Sequence, residues 1–418
     1  MLNVGLTGKI ELSNFVDIVG EKQIQTVRSL GDKLKGKSVT HINSTSFGGG
    51  VAEILHNMVP LMRDAGLDVQ WEVIKGDLAF FNITKKMHNA LQGANLVLSK
   101  EEEQAYLENN KTNSEAANLD ADIVMVHDAQ PAALIQYSSN RNCWIWRCHI
   151  DLSTPNVAVW GFLEPYIARY TDAVFTAKEY VVPSLIVPAL SIRPPSINPL
   201  SEKNRDLTDS EVLSVLTHYE VKPDQPIITQ VGRFDPWKDP SGAIDVYRLI
   251  KKQFPTVQLL LIGGMATDDP EGWHYFEKTA RHAEEDPDIH LLLTDAKGMK
   301  DVEVNAFQRA SQVVLQMSTR EGFGLTVAES LWKGVPVVGR SVGGIPLQVV
   351  DGQNGFLVNS VEQAAERVLF LLKNREKAKQ LGVNGKERVR ERFLIVSHVR
   401  DYLILFNDLL SNQNYLFS

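Results

Sequence analysis

Residues 318–344, STREGFGLTVAESLWKGVPVVGRSVGG, hold more chemistry per residue than any other part of the chain. Two carboxylates, Glu321 and Glu329, bracket a turn made of Gly322, Phe323 and Gly324. The apolar spacing from Leu325 to Lys333 predicts a short helix, Gly334 its C-terminal cap, and Val335–Val338 a buried strand. Glycines let backbone N–H groups approach a ligand, and a helix N-terminus adds partial positive charge and unpaired donors. Gly322–Thr326 therefore suits a diphosphate. Glu321 is expected beside the ligand, with Glu329 one turn into the helix on the same side. A carboxylate accepts two hydrogen bonds from a vicinal diol, so the pair suits a hydroxyl-rich ligand. A glycine-punctuated strand–loop–helix with two solvated acids accounts for the same spacing, and the pair alone does not choose.

Outward from this stretch, the second half of the chain alternates short apolar strands with helices. Strands are expected at Ile227–Val231, Val257–Ile262, Ile289–Leu293 and Val313–Gln316, with helices at Gly242–Gln253 and Gly272–Glu285. Such alternation implies a parallel sheet. Between the first strand and its helix lies GRFDPWKDP, which presents Arg233 and Lys238 at a strand's carboxyl end. A planar guanidinium fork and a compact ammonium together suit diphosphate oxygens, although a solvated surface pair fits the spacing as well.

The first half begins a second sheet. Ser38–Asn43 and Val69–Ile74 read as strands flanking a helix at Val51–Ala65, and STSFGGG forms the intervening turn. Gly48, Gly49 and Gly50 exceed what a tight turn requires and could cradle a diphosphate, but the GxGxxG spacing of a dinucleotide site is absent. Two further strands end in His127-Asp128 and in Cys148-His149-Ile150-Asp151, at the edge where open α/β sheets bind ligands. Asp120-Ala121-Asp122 lies at a strand's start, away from that edge, and no metal site is expected there. Most of the tryptophans, Trp144, Trp146, Trp160, Trp237, Trp273 and Trp332, read as packing residues. Residues 191–206 are rich in Pro, Ser and Asn and read as a linker. The expected organisation is one domain of residues 1–195, joined by a final helix of residues 396–418, and a second of residues 207–395.

Length and composition bound the rest. A chain of 418 residues with 44% hydrophobic and 22% charged residues suits two or three ordinary globular domains. The net charge of −8, with no basic stripe, argues against a nucleic-acid partner. Cys143 and Cys148 match neither a disulfide framework nor a zinc site and read as small buried hydrophobes. No apolar run approaches a membrane span, and no secretory signal opens the chain, so a cytoplasmic protein without a membrane partner is expected.

The EGFGLTVAES motif, with its two glutamates eight residues apart, resembles the signature of retaining glycosyltransferases of the GT-B fold, the family 4 group. The implied architecture is two Rossmann-like, doubly wound parallel-sheet domains facing a cleft. Three runs narrow the resemblance: HINSTSFGGGVAEILHNMVPLMRDAGLDVQWEVIKG, FFNITKKMHNALQG and WRCHIDLSTPN. They are similar to the trehalose glycosyltransferring synthases, which couple NDP-glucose to glucose, and to the retaining trehalose phosphorylases. Fungal-type phosphorylases are considerably longer, so this length favours the synthase.

The resemblance implies roles. Glu321 would bind donor glucose, Glu329 the ribose, and Arg233 with Lys238 the leaving diphosphate, assisted by Gly48–Gly50 and by Gly322, Phe323, Gly324 and Leu325. His149 would contact the donor sugar near the reacting carbon, while His127, Asp128 and Asp151 help to place the acceptor. Thr294–Gly298 would meet the nucleobase. The implied reaction is reversible and retains configuration by front-face displacement, with a covalent glycosyl-enzyme as the rival. The expected partners are NDP-glucose, glucose and trehalose, with no tightly bound cofactor. A phosphorylase and a non-catalytic nucleotide-sugar regulator stand as alternatives. The residues leave the base, a Mg²⁺ requirement and a homodimeric state open.

Overall fold

The computed structural model describes residues 1–6, 10–47, 49–138, 142–264, 270–294 and 299–416. The chain divides into two compact units, Met1–Ser196 with Ile395–Ser418, and Ile197–Leu394.

The first unit is built on a seven-stranded sheet. Its strands are β1 (Leu2–Asn3), β2 (Ser38–Asn43), β3 (Asp68–Val73), β4 (Ile123–His127), β5 (Cys143–Arg147), β6 (Asp172–Phe175) and β7 (Ala189–Ile192). They run in the order β1-β3-β2-β4-β5-β6-β7. Only β1 is antiparallel to its neighbour, and each parallel step requires a crossover. Strands β4 and β5 are buried along their whole length, which is why both read as nearly continuous apolar runs rather than alternating ones. The helix Ile395–Leu416 packs on this sheet: Val399, Tyr402, Leu403 and Phe406 share one core with Ile24, Val27, Leu55, Met58, Met125 and Ile145.

The second unit carries six parallel strands in the order β10-β9-β8-β11-β12-β13. These are β8 (Ile227–Val231), β9 (Gln258–Gly263), β10 (Ile289–Leu293), β11 (Val313–Gln316), β12 (Val337–Arg340) and β13 (Gly355–Val358). Their crossover helices include Pro240–Lys251, Pro270–Ala283, Asp301–Ala310 and Leu325–Trp332. The core on one face joins Ile228, Leu259, Leu261, Val313, Leu315 and Val338 to Ile244, Tyr247 and Val368.

Two expectations are corrected. Strand β12 begins at Val337, not Val335, because Pro336 has no N–H for a ladder and contributes only its carbonyl, which accepts from Val314 N at 3.1 Å. Residues 191–206 are not a free linker. Ser191 and Ile192 end β7, and from Ile197 the chain belongs to the second unit. Asn204 is buried and donates to the Asn198 carbonyl at 3.0 Å, while Asn305 Nδ2 donates to the carbonyls of Glu202 and Arg205. Side-chain amides satisfy this irregular backbone, so turn-forming residues here make a packed segment.

Close packing fixes one glycine on the helix Arg375–Arg392. A Cβ on Gly382 would lie 1.8 Å from the carbonyl oxygen of Gly334, which follows the helix Leu325–Trp332 at φ +76°. Gly382→Ala should therefore cost about 1–3 kcal/mol despite alanine's helix preference, seen as a lower urea midpoint for the second unit. Gly161→Ala, on a helix with nothing within 4 Å of the added carbon, should gain about 0.5–1 kcal/mol.

Candidate active site

In the second unit, the loop after β8 and the turn after β11 meet through one ion pair. Asp235 Oδ1 accepts from the backbone N–H groups of Trp237 and Lys238 at 3.0 and 2.9 Å, folding the loop into a turn. Asp239, at φ +46°, caps the next helix through Gly242 N, and its second oxygen accepts from Arg340 Nη2 at 2.8 Å. Lys238, so placed, sets Nζ 2.5 Å from Glu321 Oε2. The same oxygen accepts from Gln316 Nε2 at 3.0 Å and Ser318 Oγ at 3.3 Å. Gln230 ties the two segments together, donating to the Lys238 carbonyl and accepting from Met317 N, each at 2.9 Å. The Lys238 and Glu321 side chains are 19% and 8% exposed. Removing one partner of so enclosed a pair costs more than the pair itself contributes, because the other charge is left uncompensated.

The glycine turn is supported from behind. Gly344 N donates to the Glu321 carbonyl at 3.0 Å, and Gln348 Nε2 donates to the carbonyls of Phe323 and Gly324 at 2.5 and 3.3 Å. A Cβ on Gly344 would lie 2.5 Å from Phe323 Cα, so only glycine lets these backbones approach. Gly324, at φ +81°, caps the helix that Leu325 opens, and Phe323 is buried against the Phe393 ring. Glu329 lies 2% exposed on that helix rather than open beside the turn. Arg233 is 63% exposed, its guanidinium 3.3 Å from Asp235 and not on Glu321. Thr294 follows β10 and donates its backbone N–H to the Gly263 carbonyl at 2.9 Å. Residues 295–298, also expected at a nucleobase, lie outside the described residues, as does Gly48.

In the first unit, the carboxyl ends of β2 and β4 enclose a cavity of about 110 Å³, lined among others by Asn43, Thr45, Gly49, Gly50, His127 and Asp128. Gly49 is at φ +105° and caps the helix Gly50–Asp64. Asp128 is a non-glycine residue at φ +63°, and its Oδ1 accepts from His149 N at 2.7 Å. Burial raises the Asp128 carboxyl to about 6, against the opposing pull of the His149 N–H and Arg147. His127 has both ring nitrogens engaged, Nδ1 with His149 Nε2 at 2.9 Å and Nε2 with His41 Nδ1 at 3.1 Å. An acceptor sugar would thus find no vacant ring nitrogen on His127. Asp151 is 6% exposed and uses Oδ1 to accept from Ser153 N at 2.8 Å. Burial lowers the pKa of His41 to about 3 and those of His127 and His149 well below the usual range, with nearby Arg147 adding to the last two.

Elsewhere, Cys143 and Cys148 are buried free thiols, and burial pushes Cys143 up to about 12. Asp122 accepts from Ser38 N, Ser38 Oγ and Lys37 Nζ, fastening the start of β4 to β2. Trp144, Trp146, Trp160 and Trp332 are buried, whereas Trp273 is exposed and Trp237 lies under the Arg320 guanidinium. The residues that motif reading missed are Gln230, Gln316, Ser318, Gln348 and His41. Gln316 and Ser318 flank the carboxyl end of β11 immediately before the glycine turn, which is the one positional signal that could have found them.

A family model described as "Trehalose synthase, N-terminal domain" matches residues 41–182, and one described as "Glycosyl transferases group 1" matches residues 218–388. The chain is 54% identical over 398 residues to a trehalose synthase of Thermococcus litoralis, covering 95% of this chain and 96% of that one. It is 28% identical to a trehalose phosphorylase of Pleurotus pulmonarius, covering 85% of this chain but 55% of the relative. Among solved structures, a sucrose-phosphate synthase from Thermosynechococcus elongatus shares the fold, with a TM-score of 0.71, 16% identity and coverage of 90% of this chain and 100% of that one. The fold is GT-B. Among the described residues no helix is long and apolar enough to cross a membrane.

The buried rings set a pH dependence. His41 and His398 fall to about 3, and His127 and His149 also fall below 6.5, so over this window the unfolded chain binds more protons at each. Stability is therefore lost as pH falls from about 6.5 toward 3. Asp128, raised to about 6 from 3.8, acts in the opposite sense between those values. Glu72 and Asp172, also raised by burial, add to that opposing sense, and the four depressed bases outweigh the three raised acids, each group contributing on the order of 1 kcal/mol per pH unit. Calorimetry from pH 4.5 to 7 should show the first unit's melting temperature rising, and His398→Asn should flatten that rise.

Proposed function

Because the chain belongs to the trehalose synthase family of GT-B glycosyltransferases, we propose that it transfers glucose from an NDP-glucose donor to free glucose, with retention, forming α,α-trehalose reversibly. The observation that carries this reading is the Lys238 ammonium fixed on the Glu321 carboxylate beside the glycine turn. A departing nucleoside diphosphate builds negative charge on phosphate oxygens, and a cation already in place lowers that barrier without reorganising. In this proposal Lys238 meets the leaving phosphate, with Arg233, the N–H groups of Gly322–Leu325 and those of Gly49 and Gly50 in support. Glu321, held by three donors on one oxygen, accepts hydrogen bonds from donor glucose hydroxyls. Glu329 reaches the ribose, Thr294 the base, His149 the donor sugar, and Asp128 and Asp151 the acceptor.

The proposed step is front-face displacement. The acceptor's anomeric oxygen bonds to the donor's anomeric carbon as the bond from that carbon to the phosphate oxygen breaks. The acceptor proton passes to a phosphate oxygen, so neither side chain of the Lys238–Glu321 pair serves as base. Among the described residues no trio of metal-ligating side chains is assembled, and Mg²⁺ enters this proposal only as an ion carried by the nucleotide.

A second reading, a trehalose phosphorylase, is favoured by the likeness to the Pleurotus pulmonarius protein, although the chain spans only 55% of it. One assay separates the two. With trehalose and an NDP the purified chain should release NDP-glucose, and with trehalose and inorganic phosphate it should release no glucose 1-phosphate. The reverse result would establish the phosphorylase. Lys238→Gln, which keeps a donor for Glu321 but removes the charge, should lower kcat by about 10²–10³ with the fold retained. The largely exposed Arg233 should matter less, Arg233→Gln costing about 10-fold.

A further inference from the structure

Three histidines form a diagonal across adjacent strands of the first sheet. His41 on β2 is in register with Met125 on β4, and His127, two residues further along β4, is in register with Arg147 on β5. His149 lies two residues beyond Arg147. Side chains two apart share a face, so all three imidazoles project to one side, each a step nearer the carboxyl edge. Their rings stack at 5.4 and 5.2 Å between centroids. His41 Nδ1 meets His127 Nε2 at 3.1 Å, and His127 Nδ1 meets His149 Nε2 at 2.9 Å. His41 Nε2, at the inner end, is buried and has no partner.

Each N···N contact needs one proton and one lone pair. Three neutral rings hold three protons, so two fill the contacts and the third sits at one end of the chain. If it sits on His41 Nε2, an N–H is stranded in the core. If it sits on His149 Nδ1, the core holds only a lone pair, and the N–H faces outward from a partly buried ring. Orphaned buried N–H groups are the rarer and costlier of the two. The surroundings favour the same choice. Arg147 leaves Nε and Nη1 without acceptors, and Arg193 leaves Nε, so the pocket already has surplus donors. The other titratable groups on this face, His398 and Tyr402 from the helix Ile395–Leu416 and Asp128 from the end of β4, add no acceptor to His41 Nε2.

We propose that His41, acting through His127, holds His149 as the tautomer protonated on Nδ1, an obligate hydrogen-bond donor to an oxygen of the bound sugar nucleotide. His41 and His127 are thus positioning residues, and His149 is the group that touches ligand. Its contact with the sugar nucleotide rests on the proposed function, whereas the tautomer does not. Burial and Arg147 keep His127 and His149 uncharged, which the proton count requires.

Long-range ¹H–¹⁵N correlation spectra of the full chain, labelled at histidine and without ligand at pH 7.5, test the tautomer directly. Single-site His→Gln variants assign the rings. All three rings should carry the proton on Nδ1. A proton on Nε2 of any of them, or a doubly protonated ring, overturns the proposal. His41→Glu, an acceptor where His41 donates, should reverse the chain and move the His149 proton to Nε2. An unchanged His149 spectrum in that variant, correctly folded, also overturns it. If the variant does not fold, activity supplies the second readout. The amide of His149→Asn falls near Nδ1 and that of His149→Gln near Nε2. His149→Asn should retain kcat/KM within about 10-fold and His149→Gln should lose about 100-fold, since a missing donor to a ligand oxygen has that scale. Equal losses would overturn the donor assignment. If no sugar transfer is found at all, the spectra still decide the tautomer, and only the functional reading fails.

Discussion

A carboxylate enclosed by protein must be compensated, and in the second unit the compensation is what shapes the site. Glu321 lies 8% exposed after β11, and its compensating cation comes from the loop after β8, one of the two strands hydrogen-bonded to β11. The loop after β8 is accordingly bent by Asp235 until Lys238 reaches across. Gln230 then links backbone to backbone beneath the pair. The ion pair thus ties together two parallel strands at their carboxyl ends, which is where an open α/β sheet leaves room for a ligand. What it contributes to stability is modest beside what its rupture would cost, because desolvation offsets most of the attraction. Its value lies in geometry: a charge held in place before the leaving group needs it.

The first unit solves the opposite problem. Its polar residues at the same sheet edge include three imidazoles, which escape the cost of burial by giving up their charge. Three neutral rings and a buried Arg147 can occupy one face only because the helix Ile395–Leu416 covers them, bringing His398 and Tyr402 against the same face. A segment from the far end of the chain therefore sets the dielectric around residues near position 127. Sequence proximity gives no hint of that coupling.

Much of the scaffold is legible in the sequence. Ser38–Asn43, Ile227–Val231, Ile289–Leu293 and Val313–Gln316 read as strands and are strands with those bounds, because short Val/Ile/Leu runs between turn residues have few other uses. Helix ends were harder, since capping side chains such as Asp239 act from outside the periodic stretch. The segment 191–206 was misread because Pro, Ser and Asn signal a turn but do not reveal whether another element packs over it. In the site, charged residues in the loops that follow strands were legible, as with Lys238 and Glu321. The supporting amides Gln230, Gln316 and Gln348 were not. Glutamine has no spacing rule of its own, and its role exists only once two strands are side by side.

His41 marks the limit of motif reading more sharply. In the chain it is one polar residue inside SVTHIN, and nothing local distinguishes it from a satisfied core histidine. Its meaning comes from register. A shift of β2 by one residue against β4 would turn it to the other face and break the row with His127. That register is pinned far from the histidines, at the strand starts, where Asp122 grips Ser38 through both backbone and hydroxyl. This acidic residue before β4 fixes which way an imidazole points some three residues further along each strand. A hydrogen bond at one end of a sheet can thus govern proton placement at the other, because a pleated strand transmits phase without loss over so short a distance.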